Sequence, residues 1–206
     1  MIMAYVSKGS DMTREPAETI RAFVAFELPK GIIDALARVQ EQMRGLRVDA
    51  RWVRPANIHL TLKFLGQVPA SDIETIGRSV MEAARGRGPI VLSVRGVGVF
   101  PGVRKPRVAW VGLNDPDGGL LRLHQELETR MSSVGYPAEE RPFKGHLTIG
   151  RFKGSISAPM LITALNACQD FETEAFSLDT LTLFQSELMP SGPVYTKIVR
   201  ATLTNS

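Results

Sequence analysis

Apolar positions recur along this chain at two different periods, and the switches between them outline its elements. From Arg21 to Leu28 the pattern is that of a strand, which Pro29 stops. Ile32, Ile33, Leu36, Val39 and Met43 then recur at helical spacing to about Leu46. A second extended run, Trp52 to Leu65, is broken at Pro55 and closes on Gly66. The next pattern predicts a helix from about Ser71 to Arg85, with Ser71 as N-cap and Asp72 and Glu74 in the first turn. Two valine-rich runs, Ile90 to Phe100 and Arg107 to Leu113, flank Pro101-Gly102 and Pro106 and read as a hairpin-like pair. Asp117 precedes a further amphipathic helix to about Val134, which Gly135 ends, and another strand begins near Phe143. One more helix and two strands are expected to complete the chain. Residues 1–20 lack periodicity, and Met12 could serve as an alternative start. They predict an extension of no fixed structure, whose removal leaves function intact.

Two of the predicted strands carry the same short text, His59-Leu60-Thr61-Leu62 and His146-Leu147-Thr148-Ile149, and so hold two of only three histidines. Side chains alternate across a strand, so each histidine shares a face with its threonine while the apolar residues take the other. An imidazole titrates near neutrality, and two facing each other supply one neutral base and one charged acid, as phosphodiester chemistry requires. Strand, helix, histidine-bearing strand and helix recur in both halves, with the histidines 87 positions apart. This suggests an ancient duplication. No glycine-rich phosphate fingerprint follows the first strand and the strands look half-polar, so an α+β fold with antiparallel sheets fits better than a doubly wound parallel sheet. The organisation expected is one bilobal domain over residues 21–206, with an approximate twofold that lets the histidines meet across a central cleft.

Composition narrows the setting. With 206 residues, 44% of them hydrophobic, the chain suits one domain or two closely packed lobes around a real core. No apolar run approaches the roughly 20 residues that span a bilayer, and the N-terminus lacks a signal-peptide pattern. The expectation is a cytoplasmic protein that engages no membrane. The lone Cys168 excludes an intrachain disulfide framework and cannot by itself support a cysteine zinc site, so buried packing is its expected role. Charge is concentrated locally: Arg85, Arg87, Arg95, Arg104, Lys105 and Arg107 give +6 with no acidic residue between them, inside a chain of net +4, so the rest carries −2. Such a run is either a solvated face or a phosphate-binding surface.

The longer text around the tetrads resembles the 2H phosphoesterase superfamily, and within it the RNA 2′,3′-cyclic phosphodiesterases, also called 2′-5′ RNA ligases. Arg21-Ala22-Phe23-Val24-Ala25 with Leu28-Pro29 is similar to that family's opening strand, and His59 to Gly66 to its first motif. Phe100-Pro101 with Lys105-Pro106-Arg107-Val108 resembles its middle loop, and His146 to Arg151 its second motif. Gly145 departs from the pattern, since relatives often place proline before the second histidine. The resemblance implies a two-lobed fold with pseudo-twofold symmetry and metal-independent, cofactor-free opening of RNA 2′,3′-cyclic phosphate ends to 2′-phosphates. It implies His59 as proton donor and His146 as proton acceptor, with Thr61, Thr148 and Arg151 as phosphate ligands. It also admits ATP-independent 2′-5′ joining as related chemistry.

Other readings stay open at this stage. The enzyme could act on 2′-5′ oligonucleotides or small cyclic phosphates, or the chain could be a noncatalytic module that binds RNA ends. Metal-dependent hydrolysis is disfavoured, because no HExxH or HD motif accompanies the histidines. Tyr195 and Phe64 could stack on a base or simply pack. His124 lies in a helical pattern and is expected at the surface. The absence of a coiled-coil repeat and the compact length point to a monomer with no obligate protein partner.

Overall fold

Two antiparallel sheets, each with helices against one side, organise the computed structural model, which describes residues 18–190 and 192–204. The first sheet has the order β3-β1-β8-β9, from β1 (Thr19–Glu27), β3 (His59–Pro69), β8 (Thr180–Met189) and β9 (Gly192–Thr202). The second has the order β2-β6-β5-β4-β7, from β2 (Arg51–Trp52), β4 (Ile90–Phe100), β5 (Val108–Asn114), β6 (His146–Arg151) and β7 (Phe176–Leu178). The helices are α1 (Lys30–Gly45), α2 (Ile73–Ala84), α3 (Gly119–Ser133) and α4 (Ala158–Ala167). The α+β class and the antiparallel pairing expected from half-polar strands both hold.

The lobes are interleaved rather than sequential. β8 and β9, from the end of the chain, complete the sheet that β1 began, while β2 from the first half joins the second sheet. Helix α1 follows a strand of the first sheet yet packs on β6 of the second, and α2 packs on β8 and β9. α3 lies against α2 and reaches β3 and β4, closing one continuous apolar core beneath both sheets. Among the described residues, no helix is long and apolar enough to cross a membrane.

Several boundaries differ from the sequence expectation for local physical reasons. β1 starts at Thr19, inside the segment expected to lack structure; the rest of that extension, residues 1–17, lies outside the described residues. β3 does not close at Gly66 but runs on to Pro69, since glycine accepts the φ of +73° found there. Ser71 is not an N-cap: a short 3-10 turn over Ala70–Asp72 precedes α2, and the Ser71 hydroxyl bonds Asp72 instead. Asp115 rather than Asp117 serves the start of α3, its Oδ2 accepting the N–H groups of Leu120 and Leu121 at 3.1 and 3.2 Å. After α4 come three strands, not two, because Phe176–Leu178 forms a short edge beside β4. Cys168 is buried, as expected.

The detail that matters most for the site is a pair of matched β-bulges. On β3, Thr61 opposes Ala25 and Lys63 opposes Val24, which leaves Leu62 as an extra residue. On β6, Thr148 opposes Trp110 and Gly150 opposes Ala109, which leaves Ile149 extra. In each tetrad the fourth residue is therefore the bulge, and the alternation of faces inverts after it.

Candidate active site

Each tetrad begins its strand, and its apolar members behave as the period of 2 requires. Leu60, Leu62, Leu147 and Ile149 are buried in the common core, while His59, Thr61, His146 and Thr148 are partly open on the opposite side. The two strands that carry them, β3 and β6, lie against each other although they belong to different sheets. The histidines are held alike. His59 Nδ1 stands 2.9 Å from the carbonyl of Asn57, and His146 Nδ1 stands 2.7 Å from the carbonyl of Lys144, in both cases two residues upstream. A carbonyl only accepts, so each Nδ1 carries the proton and donates it. This fixes each ring's rotation and leaves both Nε2 atoms available to bind or release a proton at a substrate.

Arg151 joins this group because of the bulge. Five positions after His146, a regular strand would turn its side chain to the core side; the extra Ile149 restores it to the face of His146 and Thr148. Its charge acts across to the other sheet. Burial is the main cause that draws the pKa of His59 down to about 4; the hydrogen bond to Asn57 works against this, and the Arg151 guanidinium lowers it further. The same guanidinium bears on Tyr195, whose hydroxyl burial pushes up. All five residues expected at the site are thus on its open side, and Arg151 of the second motif is an electrostatic neighbour of His59 of the first.

An aromatic cluster surrounds His59. Phe23 stacks on its ring at 4.7 Å, Tyr195 meets it edge-on at 5.2 Å, and Phe184 stacks on Phe23 at 5.1 Å. Phe23, Ala25 and Phe184 form a small buried cluster separate from the main core. His146 has a sparser setting, with Phe100 edge-on at 5.2 Å and Trp110 stacked on Phe100. Gly98 makes room for that indole, since a Cβ there would run into the Trp110 ring.

Comparison with known proteins places this architecture. The LigT-like phosphoesterase family matches the chain twice in succession, over residues 26–110 and 111–195, and each match holds one tetrad. The chain belongs to the LigT-like phosphoesterase family. An RNA 2′,3′-cyclic phosphodiesterase of Methanothermobacter thermautotrophicus is 34% identical over 177 residues, covering 86% of this chain and 95% of the relative. A protein of the same name from Aeropyrum pernix is 33% identical over 164 residues, covering 80% and 92%. The crystal structure of TT0787 of Thermus thermophilus superposes with a TM-score of 0.75 at 29% identity, covering 89% of this chain and 98% of that one.

Within this LigT-like fold, several supporting residues escape a reading of side-chain chemistry. Asn57 acts through its backbone carbonyl on His59, while its side-chain amide donates to Pro193 O at 3.1 Å and ties the β8-β9 hairpin to the site. Lys144 likewise contributes a carbonyl. The only sequence signal for either is its offset of two from a histidine. Gln40 of α1 is buried and donates from Nε2 to the carbonyls of Val53 and Ile149, both at 2.8 Å, so it holds the bulge of the second motif. Stranding those carbonyls would cost about 1 to 3 kcal/mol.

Behind the first motif, the inverted alternation turns Lys63 inward. Its Nζ donates to Glu128 Oε2 at 2.8 Å and to Pro137 O at 2.7 Å, and the Glu139 N–H donates to the same Glu128 oxygen at 3.0 Å. A buried ion pair therefore connects the first motif to the loop that leads into the second. His124 belongs to this cluster and corrects the expectation of a surface residue. It is buried, stacks on Phe143 at 4.0 Å and places Nε2 3.6 Å from Glu128 Oε1, while burial lowers its pKa. Gly145, the departure from the family pattern, fits a tight spot: a Cβ would come 3.0 Å from Leu120 Cδ2 on α3.

Proposed function

We propose that this protein hydrolyses 2′,3′-cyclic phosphate ends of RNA to 2′-phosphates, using His59 as proton donor and His146 as proton acceptor. The observation that carries this reading is the matched presentation of the two imidazoles. Each is locked through Nδ1 to a carbonyl two residues upstream on adjoining strands, with the Arg151 guanidinium beside the first. The shared name of the two relatives above, each covered over most of its length, is RNA 2′,3′-cyclic phosphodiesterase, which supports the same substrate.

In the proposed step, a water oxygen attacks phosphorus while His146 Nε2 takes its proton. The P–O3′ bond breaks, and His59 Nε2 delivers a proton to the departing O3′, leaving phosphate on O2′. Exchange with solvent then resets both rings. The low pKa of His59 makes its imidazolium a strong acid, and the negative charge of the bound phosphate offsets the burial and the Arg151 repulsion that keep it neutral when the site is empty. Thr61 and Thr148, each two positions from its histidine on the same face, hold the nonbridging oxygens, and Arg151 stabilises the charge that develops on them. With a 5′-hydroxyl in place of water, the same step joins two RNA ends through a 2′-5′ linkage without ATP.

On this reading, the working unit is a monomeric, cytoplasmic domain that needs no metal or cofactor and begins with β1, so residues 1–17 are dispensable while Glu18, Thr19 and Ile20, which bond and pair with the end of β3 and the turn after it, are kept. The test is product analysis with an RNA ending in a 2′,3′-cyclic phosphate, in excess EDTA. The expected product is the 2′-phosphate at an undiminished rate. A 3′-phosphate product, or activity lost to chelator and restored by one metal, overturns the proposal.

A further inference from the structure

The basic run between Arg85 and Arg107 divides in the folded protein. Its first half is neutralised: Arg85 pairs with Glu82 at 3.0 Å, Arg87 with Glu126 at 3.8 Å and Arg95 with Glu172 at 4.0 Å. Its second half is not. Arg104, Lys105 and Arg107 are exposed on the loop between β4 and β5 and make no ion pair among the described residues. The base of this loop is fixed, with the Arg107 N–H donating to Phe100 O at 2.7 Å and the Phe152 N–H donating to Arg107 O at 3.0 Å. The second bond brings the loop against the chain that leaves β6, where exposed Lys153 follows Arg151.

The register adds one more cation at the same edge. Arg51 of β2 lies directly opposite Arg151 of β6, which opposes Val108 of β5, which opposes Phe100 of β4. Opposed residues share a face, so Arg51 and Arg151 stand together on the open side, both exposed and neither ion-paired among the described residues. Like charges directly opposite on neighbouring strands repel, and an anion between them removes the conflict. The sequence reinforces this: positions 50–71, 83–114 and 141–169, which hold both motif strands and this edge, contain no Asp or Glu.

We propose that this edge is a docking track for the sugar-phosphate backbone of single-stranded RNA, leading away from the reacting end past Arg151 and over Arg51, Arg104, Lys105 and Lys153. The proposal rests on the reading of the histidine site as the place where the cyclic phosphate sits, and adds that the enzyme grips the strand behind it. The cations extend along the edge instead of converging on one point. From β2 across β6 to the loop at the end of β5 they span two inter-strand spacings of backbone, about 10 Å, and Arg51, Arg151, Arg104, Lys105 and Lys153 together offer more positive charge than one phosphate group neutralises. A polynucleotide offers several phosphates at once, and the attraction is sequence-independent and salt-sensitive.

Two readouts separate the track from the chemistry. The first is binding of a labelled single-stranded RNA of about 12 nucleotides with an unreactive 3′-hydroxyl end, followed by anisotropy against salt for the wild type and the triple variant R104Q/K105Q/K153Q. The substitutions are expected to weaken binding at least tenfold at moderate salt and to flatten the log-log salt slope by about 2. The second is kcat/KM on a cyclic-phosphate RNA of the same length against a 2′,3′-cyclic mononucleotide. The wild type is expected to favour the RNA, and the variant to lose that advantage while its mononucleotide rate reports on the histidine site. Binding and slope unchanged in the variant overturn the track even when hydrolysis is intact. Salt-sensitive binding lost in the variant, from a wild type that hydrolyses neither substrate, supports the track and overturns the proposed chemistry.

Discussion

The two motif strands share a text, a bulge position and a way of orienting their histidines, yet they set those histidines in different surroundings. β3 sets His59 among Phe23, Tyr195 and Phe184, and burial there takes its pKa down to about 4. β6 sets His146 beside a single aromatic edge, in the strand that carries Arg151. The positions after the bulges diverge as well. Lys63 on β3 becomes a buried tether, where Gly150 on β6 leaves room for Trp52, 3.0 Å from where its Cβ would lie. Phe64 is exposed at the position that corresponds to Arg151. The family matches each half once, the two halves present equivalent imidazoles, and the flanking residues surround one with aromatic rings and set a guanidinium in the strand of the other. A displacement at phosphorus needs that asymmetry, because acid and base must not be interchangeable at the moment of reaction.

The largest expected effect falls on both halves alike. His59→Ala and His146→Ala should each lower kcat by about 10²- to 10⁴-fold with circular dichroism unchanged; one variant retaining full activity breaks the pairing. A bridging 3′-sulfur in the cyclic phosphate, which leaves without a proton, should rescue the His59 variant and not the His146 variant, and the opposite pattern exchanges their roles. Arg151→Met tests the asymmetry next, with an expected fall in kcat/KM of about 10²- to 10³-fold. The wild-type pH profile of kcat/KM should be a bell whose acid limb reports His59 near 4. The same Arg151 variant should move that limb upward, since a lowering influence is removed; an unmoved limb uncouples the two strands.

The depressed pKa also has a stability consequence confined to the first half. Between about pH 4 and 6.5 the unfolded chain binds a proton at His59 that the folded protein does not. The stabilisation is therefore complete above pH 6.5 and falls by about 3 kcal/mol as pH drops through that window. Urea denaturation of the wild type and of His59→Ala should show the variant with a shallower decline, the remaining slope including His124, whose pKa is lowered in the same direction. Smallest of all, Thr61→Ala and Thr148→Ala should each cost about tenfold in kcat/KM, and a null effect at either would remove it from the phosphate site.

Much of this was legible in the residues because alternation is a local property. The faces of His59, Thr61, His146 and Thr148 follow from a period of 2, and so does the burial of Leu60 and Leu147. The bulges were not legible, since Leu62 and Ile149 look like any apolar strand residue. Strict alternation alone would have turned Arg151 away from the site, and only the family resemblance retained it. Lys63 and His124 were missed for a related reason: Glu128 is a local i,i+4 neighbour of His124, but the burial of both residues depends on Lys63 meeting Glu128 and Pro137 and on Phe143 covering His124, contacts made only in the tertiary fold. The interleaving of β2, β8 and β9 between sheets is likewise a matter of long-range pairing that short-range pattern does not encode.

The central claim is that both imidazoles converge on one phosphorus, and a crystal structure with a nucleoside 2′,3′-cyclic vanadate tests it most directly. The account predicts one vanadium centre with the Nε2 atoms of His59 and His146 each about 3 Å from a different apical oxygen. A vanadate contacted by only one of the two rings, or bound away from both, would contradict it.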